Sequence, residues 1–220
     1  MKIRCFVALV LCLAAVSARA TPITSTVVVG DKEWAQVNLF TNLAWDNLNA
    51  VCPSGVCGTS TLNGWDMNGW TWASVADIAD LFRAFLPFPT ATDFFFYVDA
   101  DPSLSLNFMN AFSPTLNALP AFVRVQGYAS ELRSTDGFAY SPVVQYVESL
   151  NKPSIANTDT GQPRTTASSI TGAWFFRSAT ADPEPATSTL VAVAFAGIGW
   201  QARRRRRDSF SRTMTPRANP

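Results

Sequence analysis

The chain has 220 residues, enough for one ordinary domain plus terminal segments. Its formal charge of +1 averages unlike parts: Thr21 to Asp182 holds 14 acidic and 7 basic side chains, a net −7, whereas Arg203–Arg207, Arg212 and Arg217 place seven positive charges near the C-terminus. An acidic middle region repels phosphate backbones and argues against nucleic acid as a partner, and the absence of histidine removes serine and cysteine triads of the usual kind and the commonest metal ligand.

The first 20 residues read as a signal peptide: Lys2 and Arg4 are positive, Phe6 to Val16 is apolar, and Ala18-Arg19-Ala20 is the small-x-small pattern that signal peptidase cuts. Cys12 follows Leu11, not the small residue that lipidation needs. With Cys5 and Cys12 in this segment, Cys52 and Cys57 of "CPSGVC" remain, with Pro53 and Gly55 supplying turn chemistry between them. In an exported chain the expectation is a local disulfide, worth about 2 kcal/mol at most for so short a loop. A zinc site would lack histidine, and the four-residue spacer is not that of a thioredoxin-type Cys-x-x-Cys.

Residues 24–29, "TSTVVV", predict a strand, followed by "DKEW" and a first aromatic anchor at Trp34. "FTNLAWDNLNAV" predicts a helix capped by Thr41 or Asn42, with Ala44, Leu48 and Val51 on one face and Cys52 at its end. A polar loop repeats Asn-Gly-Trp at Asn63-Gly64-Trp65 and Asn68-Gly69-Trp70. Ser74-Val75-Ala76-Asp77 has the form of a capping box, and Val75, Ile78, Phe82 and Phe85 make one buried stripe of a second helix that Pro87 ends. Beyond Pro89, "DFFFYVD", "AFVRVQGY", "YSPVVQYVE" and "GAWFFRS" are strand candidates, and "NKPSIANTDTGQPRTTASS" is a predicted surface loop. Helices early and strands late predict an α+β ectodomain over 21–177, two short N-terminal helices packed on an antiparallel sheet, with 178–182 a linker.

Asp99 and Asp101 would share a face of a strand and hold Ca²⁺ with Ser103 or Ser105, but the pattern lacks the glycine and terminal glutamate of an EF-hand loop; a solvated Asp-Pro turn is the plainer expectation. Of six tryptophans before the linker, Trp45 and Trp174 read as core. Trp65 and Trp70, each after an Asn-Gly turn, are the candidate ligand contacts, because such turns reverse the backbone at the surface.

Pro183-Glu184-Pro185 is followed by 17 residues without formal charge, 186–202, and then by Arg203, Arg204, Arg205, Arg206 and Arg207. Seventeen residues lie at the lower limit for spanning a hydrocarbon core. The arginines would stay cytoplasmic and stop transfer, leaving the ectodomain outside. The order of these three features resembles the PEP-CTERM sorting signal of Gram-negative bacteria, 183–207 here, which implies recognition of Pro183, Glu184 and Pro185 by an exosortase-type membrane enzyme and a transient hold in the inner membrane. Asp208–Pro220 is a polar extension beyond that pattern. "EWAQVNLFTNLAWDNLNAVC", "GWTWASVADIADLF" and "GAWFFR" resemble ectodomains of exported PEP-CTERM proteins and, more distantly, C-type-lectin-like and Lcl-type domains.

The resulting expectation is an exported cell-surface or extracellular-matrix protein, with no cofactor or metal and a non-catalytic ectodomain that binds polysaccharide. The competing readings are a secreted hydrolase working through paired carboxylates, such as a glycosidase, and a type I membrane protein that is never cleaved.

Overall fold

Gly30, at φ +62°, reverses the chain between two short strands, β1 (Thr26–Val29) and β2 (Lys32–Ala35), which pair antiparallel. The computed structural model describes residues 20–87, 94–118, 121–150 and 153–179, and the fold is α+β. The predicted signal peptide through Arg19, the Pro-Glu-Pro segment, the apolar span 186–202, the arginine block and the tail 208–220 lie outside the described residues. Among the described residues no helix is long and apolar enough to cross a membrane.

After a 3-10 turn at Val37–Phe40 comes α1 (Trp45–Val51). It starts later than the sequence predicts: neither Thr41 nor Asn42 is its cap. Asn42 takes a left-handed φ of 65°, so it breaks the chain ahead of the helix. The Ala44 backbone N–H is held instead by the Asn47 side chain, at 3.0 Å. Cys52 caps the C-terminus as expected and is bonded to Cys57.

The second helix, α2 (Val75–Arg83), begins at the capping box seen in the sequence. Ser74 Oγ accepts from the Asp77 N–H at 3.1 Å, and Asp77 Oδ2 accepts from the Ser74 N–H at 3.0 Å, so two orphan donors of the first turn are satisfied. Val75, Ile78 and Phe82 are buried along one face, while Phe85 packs on the core from beyond the helix end. A third helix, α3 (Pro102–Ala111), was not expected from the sequence. Its cap is Asp101, whose carboxylate accepts from the Ser103 N–H at 2.9 Å, with Pro102 at the first helical position.

A four-stranded sheet runs β1, β2, β14 (Phe175–Ser178), β5 (Thr71–Trp72). The larger sheet runs β13 (Gly172–Ala173), β8 (Phe122–Tyr128), β10 (Val143–Val147), β11 (Ser154–Asn157), β6 (Phe96–Asp99), with β7 (Leu116–Ala118) also on β8. Two-residue pairs, β3 (Thr61–Leu62) with β4 (Trp65–Asp66) and β9 (Ala139–Tyr140) with β12 (Gly161–Gln162), complete it. β11 corrects the predicted loop at 151–169. Ser154, Ile155 and Ala156 are buried because the segment is paired on both sides, by β10 and by β6.

Two aromatic cores result. Phe82, Phe108, Phe112 and Trp174 join Val123, Val125 and Val144 of the large sheet. Phe40, Trp45, Leu48, Trp72, Tyr128 and Phe175 surround the disulfide. Each such side chain removed from water contributes about 1.5–3 kcal/mol before the entropic cost. Trp45 and Trp72 also satisfy their indole N–H groups, on the carbonyls of Ala129 at 2.9 Å and Tyr128 at 3.0 Å.

One strand serves both sheets. Gly172 and Ala173 pair parallel with Gly127 and Tyr128. Trp174 then intervenes, and Phe175 to Ser178 pair with β5 and β2. Buried Gln36 adds a second tie, donating to the Ala111 carbonyl at 2.9 Å and accepting from the Ser113 N–H at 2.7 Å.

Candidate functional site

A cleft of about 300 Å³ opens where the N-terminus of α2 meets the hairpin that joins β8 to β9. Val75, Phe94, Glu131, Leu132, Ser134 and Tyr140 line it. The hairpin is held by Arg133 N–H to the Phe138 carbonyl at 2.7 Å, by the Tyr140 N–H to the Glu131 carbonyl at 3.2 Å, and by the Leu132–Ala139 bridge. Glu131 is thereby aimed at the first turn of α2, where its Oε2 accepts from the Val75 N–H at 2.7 Å. The Phe94 and Tyr140 rings lie 5.2 Å apart with their planes inclined at 40°. Phe94 is 51% exposed. Burial raises the Tyr140 phenol above its ordinary value, the carboxylates of Asp159, Glu131 and Asp136 push it the same way, and Arg133 opposes them. The phenol therefore stays protonated at neutral pH and can donate as well as accept.

A second cleft, about 260 Å³, lies between the β1–β2 turn and α2 and includes Asp31, Lys32, Asp77 and Asp80. Three of these charges, Lys32, Asp77 and Asp80, are committed within the protein. Lys32 Nζ donates to Asp77 Oδ1 at 2.6 Å and lies 4.4 Å from the centre of the Phe176 ring; Asp80 accepts from Arg83 at 2.6 Å. Burial pushes the Asp77 carboxyl up, but hydrogen bonds from Lys32 and Ser74 outweigh it and leave the group below its ordinary value. Glu33 is also lowered, chiefly by the hydrogen bond from Arg177, against the opposing effect of burial.

Those two shifts carry a sign. A carboxyl held below its unfolded value contributes stability that is complete above the ordinary carboxylate range and is lost as pH falls through the folded value. The melting temperature is therefore expected to fall on acidification through that range. Lys32→Met should flatten the acid limb, because it removes one cause of the Asp77 shift. Thermal melts of both proteins across acid pH check this; parallel curves would refute it.

The structure separates the two candidate tryptophans. Trp65, beyond the turn made by Asn63 and Gly64 at φ 51° and 84°, is half-buried against the disulfide core. Trp70 is 2% exposed, so it offers no face to a ligand. Its turn folds inward because the Trp70 N–H donates to the Met67 carbonyl at 3.1 Å, and the Arg177 guanidinium lies 4.7 Å from its ring centre. Trp45 and Trp174 are buried, as expected.

Asp99 and Asp101 do not share a strand face. β6 ends at Asp99, which accepts from the Asp101 N–H at 2.8 Å and from the Tyr97 hydroxyl at 2.8 Å, while Asp101 caps α3. Among the described residues no group of three or more His, Cys, Asp or Glu is placed to hold a metal ion. Cys52 and Cys57 form the expected disulfide, Cα atoms 4.0 Å apart.

The cleft at Glu131 was missed by sequence reasoning because its walls come from segments about 20 to 60 residues apart. No protein-family model matches the chain, and no curated protein or solved structure matches it either.

Proposed function

We propose that the chain is an exported cell-surface or extracellular-matrix protein of a Gram-negative bacterium, cut by signal peptidase and sorted through a PEP-CTERM signal. The observation that carries this reading is the order Pro183-Glu184-Pro185, an uncharged run over 186–202, and Arg203–Arg207. The prolines flanking Glu184 carry no backbone N–H for a helix, a local chemistry that suits reading by a processing enzyme. The uncharged run holds the chain in the inner membrane until an exosortase-type enzyme acts, and the arginines keep the tail cytoplasmic. The Cys52–Cys57 disulfide is consistent with an oxidising compartment.

The ectodomain is a non-catalytic module that binds polysaccharide, built on a C-type-lectin-like plan. Supporting that plan are α1, which opens on Trp45 and is capped by Cys52, the Gly-Trp turns, α2 with Leu81-Phe82, and the closing aromatic strand β14, in that order. Supporting a non-catalytic role is the engagement of carboxylates in structural bonds: Glu33 with Arg177, Asp46 with Arg164, Asp77 with Lys32 and Asp80 with Arg83. A paired acid and base would need two unengaged carboxylates in one cleft, whereas Asp77 and Asp80, which share the cleft beside α2, are both ion-paired.

Fractionation of cells expressing wild type and Glu184→Ala tests the sorting reading. The wild type is expected in the outer-surface or released fraction, and the variant retained in the inner membrane. Equal distribution of the two would sink the reading, and an intact mass that includes 186–202 in the mature product would replace it with an uncleaved type I membrane protein.

A further inference from the structure

We infer that the cleft between α2 and the β8–β9 hairpin is the saccharide subsite, and that it takes one neutral hexopyranose unit of a polymer. This deepens the reading of the ectodomain as a polysaccharide-binding module and moves the contact away from the tryptophan turns to Phe94, Glu131 and Tyr140.

Three observations converge. The first is shape: about 300 Å³ is at the small end of ligand sites, a space for a single ring and not for a folded peptide. The second is the kind of surface. A pyranose has an apolar C–H face and a rim of hydroxyls; Phe94 and Tyr140, inclined at 40° with Phe94 half in solvent, present aromatic faces to the former. Glu131, Ser134 and Tyr140 line the same cleft, and only Oε2 of Glu131 is engaged there, by the Val75 N–H. One carboxylate oxygen accepts from a hydroxyl, while the hydroxyls of Ser134 and Tyr140 donate or accept. Glu131 is fixed through its other oxygen by the Val75 N–H, so little rotamer freedom remains to be lost on binding.

The third is charge. Glu131 lines the cleft, the charges of Asp136 and Asp159 also reach Tyr140, and the nearby cation Arg133 is already engaged by the Asp136 carboxylate at 3.6 Å and the Asp159 carbonyl at 3.0 Å. A uronate or sulfated ring would meet repulsion there; an uncharged ring meets none.

The test is affinity electrophoresis of the full chain in a polyoxyethylene detergent, since a glycoside detergent would compete. Gels carry a galactomannan, a β-1,3-glucan, hydroxyethylcellulose or, as the anionic comparison, alginate. Retardation by at least one neutral polymer and not by alginate is expected, with Phe94→Ala and Glu131→Gln each weakening it about tenfold or more. Phe94 is exposed enough that its removal leaves the fold intact, which a melting curve verifies. If the wild type is retarded and Phe94→Ala is retarded equally, the subsite is wrong while the polysaccharide module stands. If none of the three neutral polymers retards the wild type, both fail; stronger retardation by alginate overturns the neutral specificity.

Discussion

Gly172→Ala is expected to destabilise the domain by about 3 kcal/mol or more, at the upper end of what an overfilled core costs. A Cβ at Gly172 would lie 1.9 Å from the Val37 carbonyl oxygen and 2.8 Å from its carbon. Both are backbone atoms of the 3-10 turn, so no rotamer change relieves the clash; either that turn or β13 must move. Moving β13 breaks its parallel pairing with β8, since Gly172 faces Gly127 there. In guanidinium, the midpoint should drop with the slope preserved. Gly58→Ala is the matched control, because a Cβ there meets nothing within 4 Å. A loss at Gly172 no greater than at Gly58 would mean that the turn at Val37 is not seated on β13.

Trp174→Ala should cost about 3–5 kcal/mol, the range for emptying an aromatic core position. The indole is fully buried, with the rings of Phe82, Phe112 and Phe108 at 5.6, 5.8 and 6.2 Å from it, all inclined at steep angles. Those neighbours lie on α2, on α3 and at the residue that caps α3, so one cavity would loosen both helices. The backbone of Trp174 should survive the change: its N–H donates to the Tyr128 carbonyl at 3.2 Å and its carbonyl accepts from the Ala73 N–H at 2.9 Å. Trp174→Phe, which retains most of the ring volume, is expected to lose less than half as much. The indole N–H also donates to the Pro142 carbonyl at 3.4 Å, and equal losses for the two variants would place the energy in that bond and not in packing. Because typical domains have only about 5–15 kcal/mol in hand, either Gly172→Ala or Trp174→Ala brings this one near the edge of folding.

Much of the architecture is readable where local chemistry and tertiary packing agree. Ser74 and Asp77 mark the start of α2 because a capping box is a local device, complete within four residues. The aromatic strands β8 and β14 and the Cys52–Cys57 loop are likewise local in their signals. β11 is not: Ser-Ile-Ala-Asn carries little β propensity, and it becomes a strand because β10 and β6 both pair with it. The start of α3 had a usable signal in Asp101-Pro102, a cap followed by proline at the first position, which a turn reading absorbed.

The candidate site divides in the same manner. An Asn-Gly turn tells where the chain reverses, but not which way the next side chain points. Trp70 goes inward under Arg177, a residue more than 100 positions away in sequence. The cleft at Glu131 depends on three segments meeting, Val75 with Glu131 and Phe94 with Tyr140, and only the fold supplies that meeting.

The strand that crosses from one sheet to the other also fixes when the molecule can be finished. Ribosomal synthesis delivers Gly172–Ser178 after every other described element, yet both cores wait for it: Trp174 completes one and Phe175 the other. Until then, β2 is paired on one side only, by β1, and β8 has an open edge beyond β7. Completion is therefore a late and long-range event, joining residues more than 130 positions apart. A nascent chain interrupted anywhere before Gly172 exposes aromatic surface and unpaired strand edges, which makes it conspicuous to chaperones and proteases. A product cut anywhere before Gly172 is therefore expected to melt well below the intact domain, since neither aromatic core can close.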